Sequence, residues 1–129
     1  MTAPEWIQAV VRDFGRGAGL SGFELNESGS AALSFESGVV LRMEYTDVGF
    51  VVAVTLPGAG GAGSAGHLLA LAHPKAKHGG FRVRTGVVRG SRRIAAIMIP
   101  ERDVTLPRVN AAFAELWRIA GELGEARWA

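Results

Sequence analysis

Gly58, Gly60 and Gly63 satisfy G-x-G-x-x-G between an expected strand and an expected helix, the setting in which backbone amides at a helix N-terminus cradle a phosphate. The surrounding GAGGAGSAG meets that pattern by composition alone. No Lys-Ser or Lys-Thr pair follows, and no acid ends the next strand where a ribose acceptor belongs, so a plain flexible connection accounts for it better. His67, His73 and His78 are the only histidines; spacings of six and five keep them off one helical face, and the nearest acids in sequence are Asp47 and Glu101. Solvated imidazoles are expected rather than a metal site. Ser21, Ser28, Ser30, Ser34, Ser37, Ser64 and Ser91 include no nucleophile elbow. Glu24, Glu27, Glu36, Glu44 and Asp47 fall on strands and turns, where a solvated face explains them. With no cysteine, thiolate chemistry, disulfides and iron–sulfur clusters are excluded. No catalytic residue, no metal and no cofactor is expected.

One constellation carries more weight. Lys75, Lys77 and His78, followed by Arg82, Arg84, Arg89, Arg92 and Arg93, would make a cationic hairpin of the kind that tracks a phosphate backbone. It lacks interleaved exposed aromatics, since Phe81 alone is near and is expected to pack inward. A polar outer face is the favoured reading, and such a face could also steer an acidic protein partner; a nucleic-acid-binding module using residues 82–93 is the alternative.

The elements that must position these residues follow from periodicity. Trp6, Ile7, Val10, Val11 and Phe14 recur at helical intervals, Thr2 and Glu5 have capping-box spacing, and Gly15, Gly17 and Gly19 end the helix. Residues 31–35 alternate through Leu33, and Glu36-Ser37-Gly38 turns the chain. Val39, Leu41, Met43 and Tyr45 then share one strand face, with Val40, Arg42 and Glu44 on the other. In residues 50–56, Phe50, Val52, Val54 and Leu56 share a face while Val51 and Ala53 leave the other apolar, as in a central strand. A short helix is expected over residues 65–72, ended by Pro74, then strands over 81–87 and 93–99. Thr105 caps a last helix with Pro107 in its first turn and Val109, Ala112, Phe113, Leu116, Ala120 and Leu123 on one stripe. The order is α-β-β-β-α-β-β-α, an α+β arrangement in one domain spanning residues 1–129.

Composition agrees with a binding protein. Hydrophobic residues make up 48% and charged ones 20%, the formal charge is +2, and the pI is about 9.7. A mean hydropathy of +0.20 is greasy for a small chain. Eight elements in 129 residues cannot bury both faces of every strand, so a surplus remains for an interface. The first fifteen residues have no basic n-region and carry Glu5 and Asp13, and apolar runs are short, so a cytoplasmic protein is expected.

The stretches IQAVVRDFGRGAGL, FELNESGSAALSFESG, VVLRMEY, FVVAVTL, GHLLALA, FRVRTGVVRGSRRIAAIMI and VNAAFAELWRIAGEL, in that order, make the chain from Trp6 to about Trp128 resemble the class I chaperones of bacterial type III secretion, the Tir-chaperone (CesT-like) family. The resemblance implies a twisted antiparallel sheet packed by the N- and C-terminal helices. It implies a dimer, with a homodimer expected and a heterodimeric gatekeeper or regulatory subunit as the alternative. The interface would use Leu68, Leu69 and Leu71 with Phe81, Val83, Thr85 and Val87. It further implies a non-enzymatic chaperone that holds an unfolded N-terminal segment of a secreted effector, by strand addition and apolar anchors. Candidates for that groove are Val10, Phe14, Leu33, Phe35, Leu41 and Met43. Members of that family are commonly acidic, and the basic pI here departs from that character.

Overall fold

The computed structural model describes residues 1–57, 80–88 and 92–128. The first helix, α1 (Glu5–Gly17), buries Ile7, Val11 and Phe14 on one stripe. It starts differently from the capping-box expectation. Pro4 precedes it in extended conformation and no side chain caps it, while the Thr2 hydroxyl donates to the Glu27 carbonyl at 2.9 Å. The chain before the helix is thereby tied to the turn that leads into the sheet, and Glu5 pairs with Arg12 two turns along the same helix face. Gly29 in that turn has φ +78°, and a Cβ there would collide with the Met1 carbonyl oxygen, so the close crossing needs glycine.

Five strands follow: β1 (Ser30–Ser34), β2 (Val40–Thr46), β3 (Gly49–Leu56), β4 (Val83–Val88) and β5 (Arg92–Ile99). They form one antiparallel sheet in the order β1-β2-β3-β5-β4. β3 is central, which explains why both its faces are apolar. A 3₁₀ turn, Glu101–Asp103, leads into α2 (Leu106–Trp128). The Thr105 side chain accepts the Arg108 amide at 3.3 Å, the expected cap. The short helix expected over residues 65–72 lies outside the described residues, as does the Gly58–Gly63 loop.

Register decides the two faces. The pairs Leu33↔Leu41, Leu41↔Val54, Val54↔Ala95 and Ala95↔Thr85 run across the sheet on one side, with Met43, Val52, Ile97 and Val83 two residues along. This inner face is covered by α2, whose Val109, Ala112, Leu116 and Ile119 are buried and which packs on β3, β5 and α1. Each such side chain removed from water contributes about 1.5–3 kcal/mol, so the inner face carries most of the folding energy. On the outer face lie Val40, Arg42 and Glu44, then Val51, Ala53 and Thr55, then Ile94, Ala96 and Met98. Tyr45 closes the far end of the inner face by donating its hydroxyl to Glu101 Oε1 at 2.6 Å.

Candidate protein-binding edge

β1 is an edge strand of five residues. In an antiparallel ladder, backbone groups point alternately toward and away from the neighbour. The Phe35 amide donates to the Val39 carbonyl and the Tyr45 amide to the Gly29 carbonyl, both within 2.9 Å. Odd-numbered residues of β1 therefore face β2, and Ser30, Ala32 and Ser34 turn their N–H and C=O groups outward. Ser30 is already served: its amide donates to Asn26 Oδ1 at 3.1 Å and its carbonyl accepts the Asn26 amide at 2.9 Å. Ala32 and Ser34 have no such outward partner among the described residues.

Beside the open end of this edge stands a chain of aromatic rings. Phe23 meets Phe14 at 6.0 Å, Phe14 meets Phe113 at 5.2 Å, Phe113 meets Trp117 at 5.6 Å, and Trp117 meets Phe35 at 4.9 Å, mostly edge to face. Phe14 and Phe23 anchor it in the core, whereas Phe35 and Phe113 are half-buried and Trp117 is 42% exposed. An extended segment laid along β1 would gain backbone hydrogen bonds from the edge and apolar contact from these rings.

Among the groove candidates, Val10, Leu33 and Phe35 are half-buried at the core's margin. Phe14, Leu41 and Met43 are corrected to core: they are fully buried. Periodicity assigns a residue to a face, and this face happens to lie under α2. The same reason corrects Phe81 and Val83, which are buried on the inner face, with the Arg108 guanidinium 4.1 Å above the Phe81 ring. Thr85 is half-buried and Val87 is 62% exposed; Leu68, Leu69 and Leu71 lie outside the described residues. Sequence reasoning missed Trp117, although its i+4 spacing from Phe113 was a usable signal. It also missed Ile94, Ala96 and Met98, which continue the apolar outer face beside Val51, with Met98 41% exposed.

The described residues of the basic hairpin do not share one surface. Arg82, Arg84 and Arg92 are exposed, with Arg84 and Arg92 on the outer face, but Arg93 is buried on the inner face between Leu56 and Val87. Lys75, Lys77, His78 and Arg89 lie outside the described residues. A cleft of about 460 Å³ at the end of α1 is lined by Arg12, Arg16, Ser21 and Glu24. The Arg12 guanidinium there is held above its usual pKa by its hydrogen bond to Glu5, followed by that group's charge. Among the described residues no three acidic or imidazole side chains gather as a metal site would need.

The family model described as Type III secretory system chaperone SycN matches residues 6–124. The chain belongs to this family of type III secretion chaperones. Structural comparison agrees with that membership. A chain of the ExsC–ExsE complex superposes with a TM-score of 0.74 at 19% identity, covering 93% of this chain and 92% of that one. A chain of the Yersinia pestis type III secretion chaperone SycH bound to a fragment of YscM2 gives 0.68 at 15%, covering 91% and 98%. The heterodimeric ExoU–SpcU complex of the Pseudomonas aeruginosa type III secretion system gives 0.66 at 18%, covering 93% and 96%. A search among curated proteins finds no match by sequence. The SycN-family chain shares their fold, and its described residues combine two helices and a five-stranded antiparallel sheet in an α+β arrangement. No helix among its described residues is long and apolar enough to cross a membrane.

Proposed function

We propose that this SycN-family chain is a cytoplasmic, non-enzymatic chaperone that holds the N-terminal segment of a type III effector extended along β1 and keeps it secretion-competent. The observation that carries the reading is the open edge at Ala32 and Ser34 beside the half-exposed Phe35, Phe113 and Trp117. Edge amides and carbonyls bind any extended chain, and the rings select apolar side chains, so a disordered client gains affinity without the chaperone recognising a folded surface. The test mixes the purified chain with N-terminal segments of effectors encoded in the same genome. Binding should quench or shift Trp117 fluorescence, with Trp6→Phe and Trp128→Phe substituted to leave a single reporter, and should protect β1 amides from exchange. A complex that protects only β4 amides would refute the site.

The outer face supports pairing of subunits as a second element of this reading. Met98 with the half-buried Ile94, Ala96 and Val51 forms an apolar strip that no described helix covers. A homodimer is proposed, and a heterodimeric gatekeeper subunit is the alternative. Sedimentation distinguishes them: a mass near twice 13.6 kDa for the chain alone supports the homodimer. Met98→Asp should then return the mass to that of a monomer without unfolding it. A wild-type monomer would transfer the proposal to a heterodimer.

A further inference from the structure

We infer that the strand accepted at β1 is short and patterned, pairing only with Ala32 and Ser34, with apolar residues opposite Leu33 and Phe35 and a carboxylate opposite Ala32. This inference rests on the strand-addition reading above and adds its length, register and charge.

Length follows from the hydrogen bonds. Asn26 occupies both outward groups of Ser30, its side-chain oxygen also accepting the Ser28 amide at 2.9 Å. Upstream of Asn26 the chain does not follow β1 onward. It is held by the buried side chains of Phe23 and Leu25, and no backbone bond joins it to Ala32 or Ser34 among the described residues. At the other end, Glu36 already lies in the turn. Asn26 thus acts as a stop, and two residues, with four outward backbone groups, are all the edge offers.

Pattern follows from register. Residues directly opposite one another in a sheet share a face. Client residues opposite Leu33 and Phe35 point to the inner side, where Leu33, Phe35 and Trp117 present apolar surface. The client residue opposite Ala32 points to the outer side. There the methyl of Ala32 is too short to screen Arg42, its register partner on β2, which is exposed and forms no ion pair with a described residue. A cleft of about 190 Å³ lined by Ser30, Ala32, Arg42 and Glu44 leaves room for a side chain to reach across. Glu44, the opposing charge, stands opposite the closed Ser30, one pair beyond the stop.

The test uses the isotope-labelled full chain and blocked peptides at millimolar concentration, with amide exchange read by NMR. The peptide Thr-Val-Thr-Val-Asp-Thr should slow exchange at Ala32 and Ser34 about tenfold or more and leave Ser30 unchanged. The scrambled Thr-Thr-Val-Val-Asp-Thr should not. Replacing Asp by Lys should weaken binding several-fold, and Arg42→Glu, on an exposed side chain, should reverse that preference. New protection at Ser30, equal action of the scrambled peptide, or indifference to the charge swap would overturn the inference while leaving strand addition at β1 in place. Protection of Ala32 and Ser34 by an effector segment but by neither peptide would also overturn it alone. A peptide or effector segment that binds without protecting either amide would overturn both.

Discussion

Val51 and Val52 are identical neighbours on β3, yet Val52 is fully buried and Val51 is only half-buried. The same division separates Ile97 from Met98 and Arg93 from Arg92 on β5. Both faces of the central strands are apolar, but one face lies under α2 and the other has no described helix over it. Apolar side chains in one sheet are therefore divided between a buried inner side and a partly exposed outer side and β1 margin, where the proposed function places association. Hydrophobicity alone thus does not distinguish a buried face from an exposed one. What separates the two faces is the register that places a residue under or away from the described helices.

Truncating adjacent residues tests the difference between the two faces most directly. Ile97→Ala should cost about 2–5 kcal/mol in denaturant unfolding, because a fully buried side chain leaves a cavity. Met98→Ala should cost less than about 1 kcal/mol when measured on the isolated subunit. A smaller version of the same contrast uses identical residues: Val52→Ala should cost about 2 kcal/mol and Val51→Ala well under half of that. Equal losses within either pair would mean that the two faces are energetically alike.

Two further substitutions probe what holds the cover on the inner face. Thr105→Ala removes the cap that receives the Arg108 amide and should lower the unfolding free energy by about 1 kcal/mol. The smallest effect concerns Tyr45, whose hydrogen bond to Glu101, then desolvation and that carboxylate's charge, raise its pKa above the ordinary 10.0. A group held protonated by folding contributes stability that is fully present below its unfolded pKa and lost as pH rises through the raised folded value. The stability advantage of the native chain over Tyr45→Phe should accordingly be constant near neutrality and vanish above pH 10. An advantage that grows with pH would show that the bond to Glu101 does not hold the phenol protonated.

Much of this is legible in the sequence. The alternation of Leu41, Met43, Phe50, Val52 and Val54 determined their common face, because side chains in a strand repeat every two residues whatever surrounds them. The centrality of β3 was readable from its two apolar faces, and Thr105 was readable as a cap. The α1 cap was not: Thr2 has the right spacing but is drawn to Glu27 by a contact across 25 residues, which no local rule contains. Nor could periodicity tell that Phe14, Leu41 and Met43 are core while Leu33 and Phe35 lie at the margin. That depends on where α2 comes to rest on the sheet. The edge that is open among the described residues was equally hidden, since which strand ends a sheet, and that Asn26 closes Ser30 but leaves Ala32 and Ser34, are decided by pairing beyond the strand's own residues. Sequence by itself determined the elements, their faces and the absence of cysteine chemistry, all of which are local or compositional. Tertiary structure alone decided which apolar residues are spent on folding and which remain exposed, because burial is a property of how elements meet.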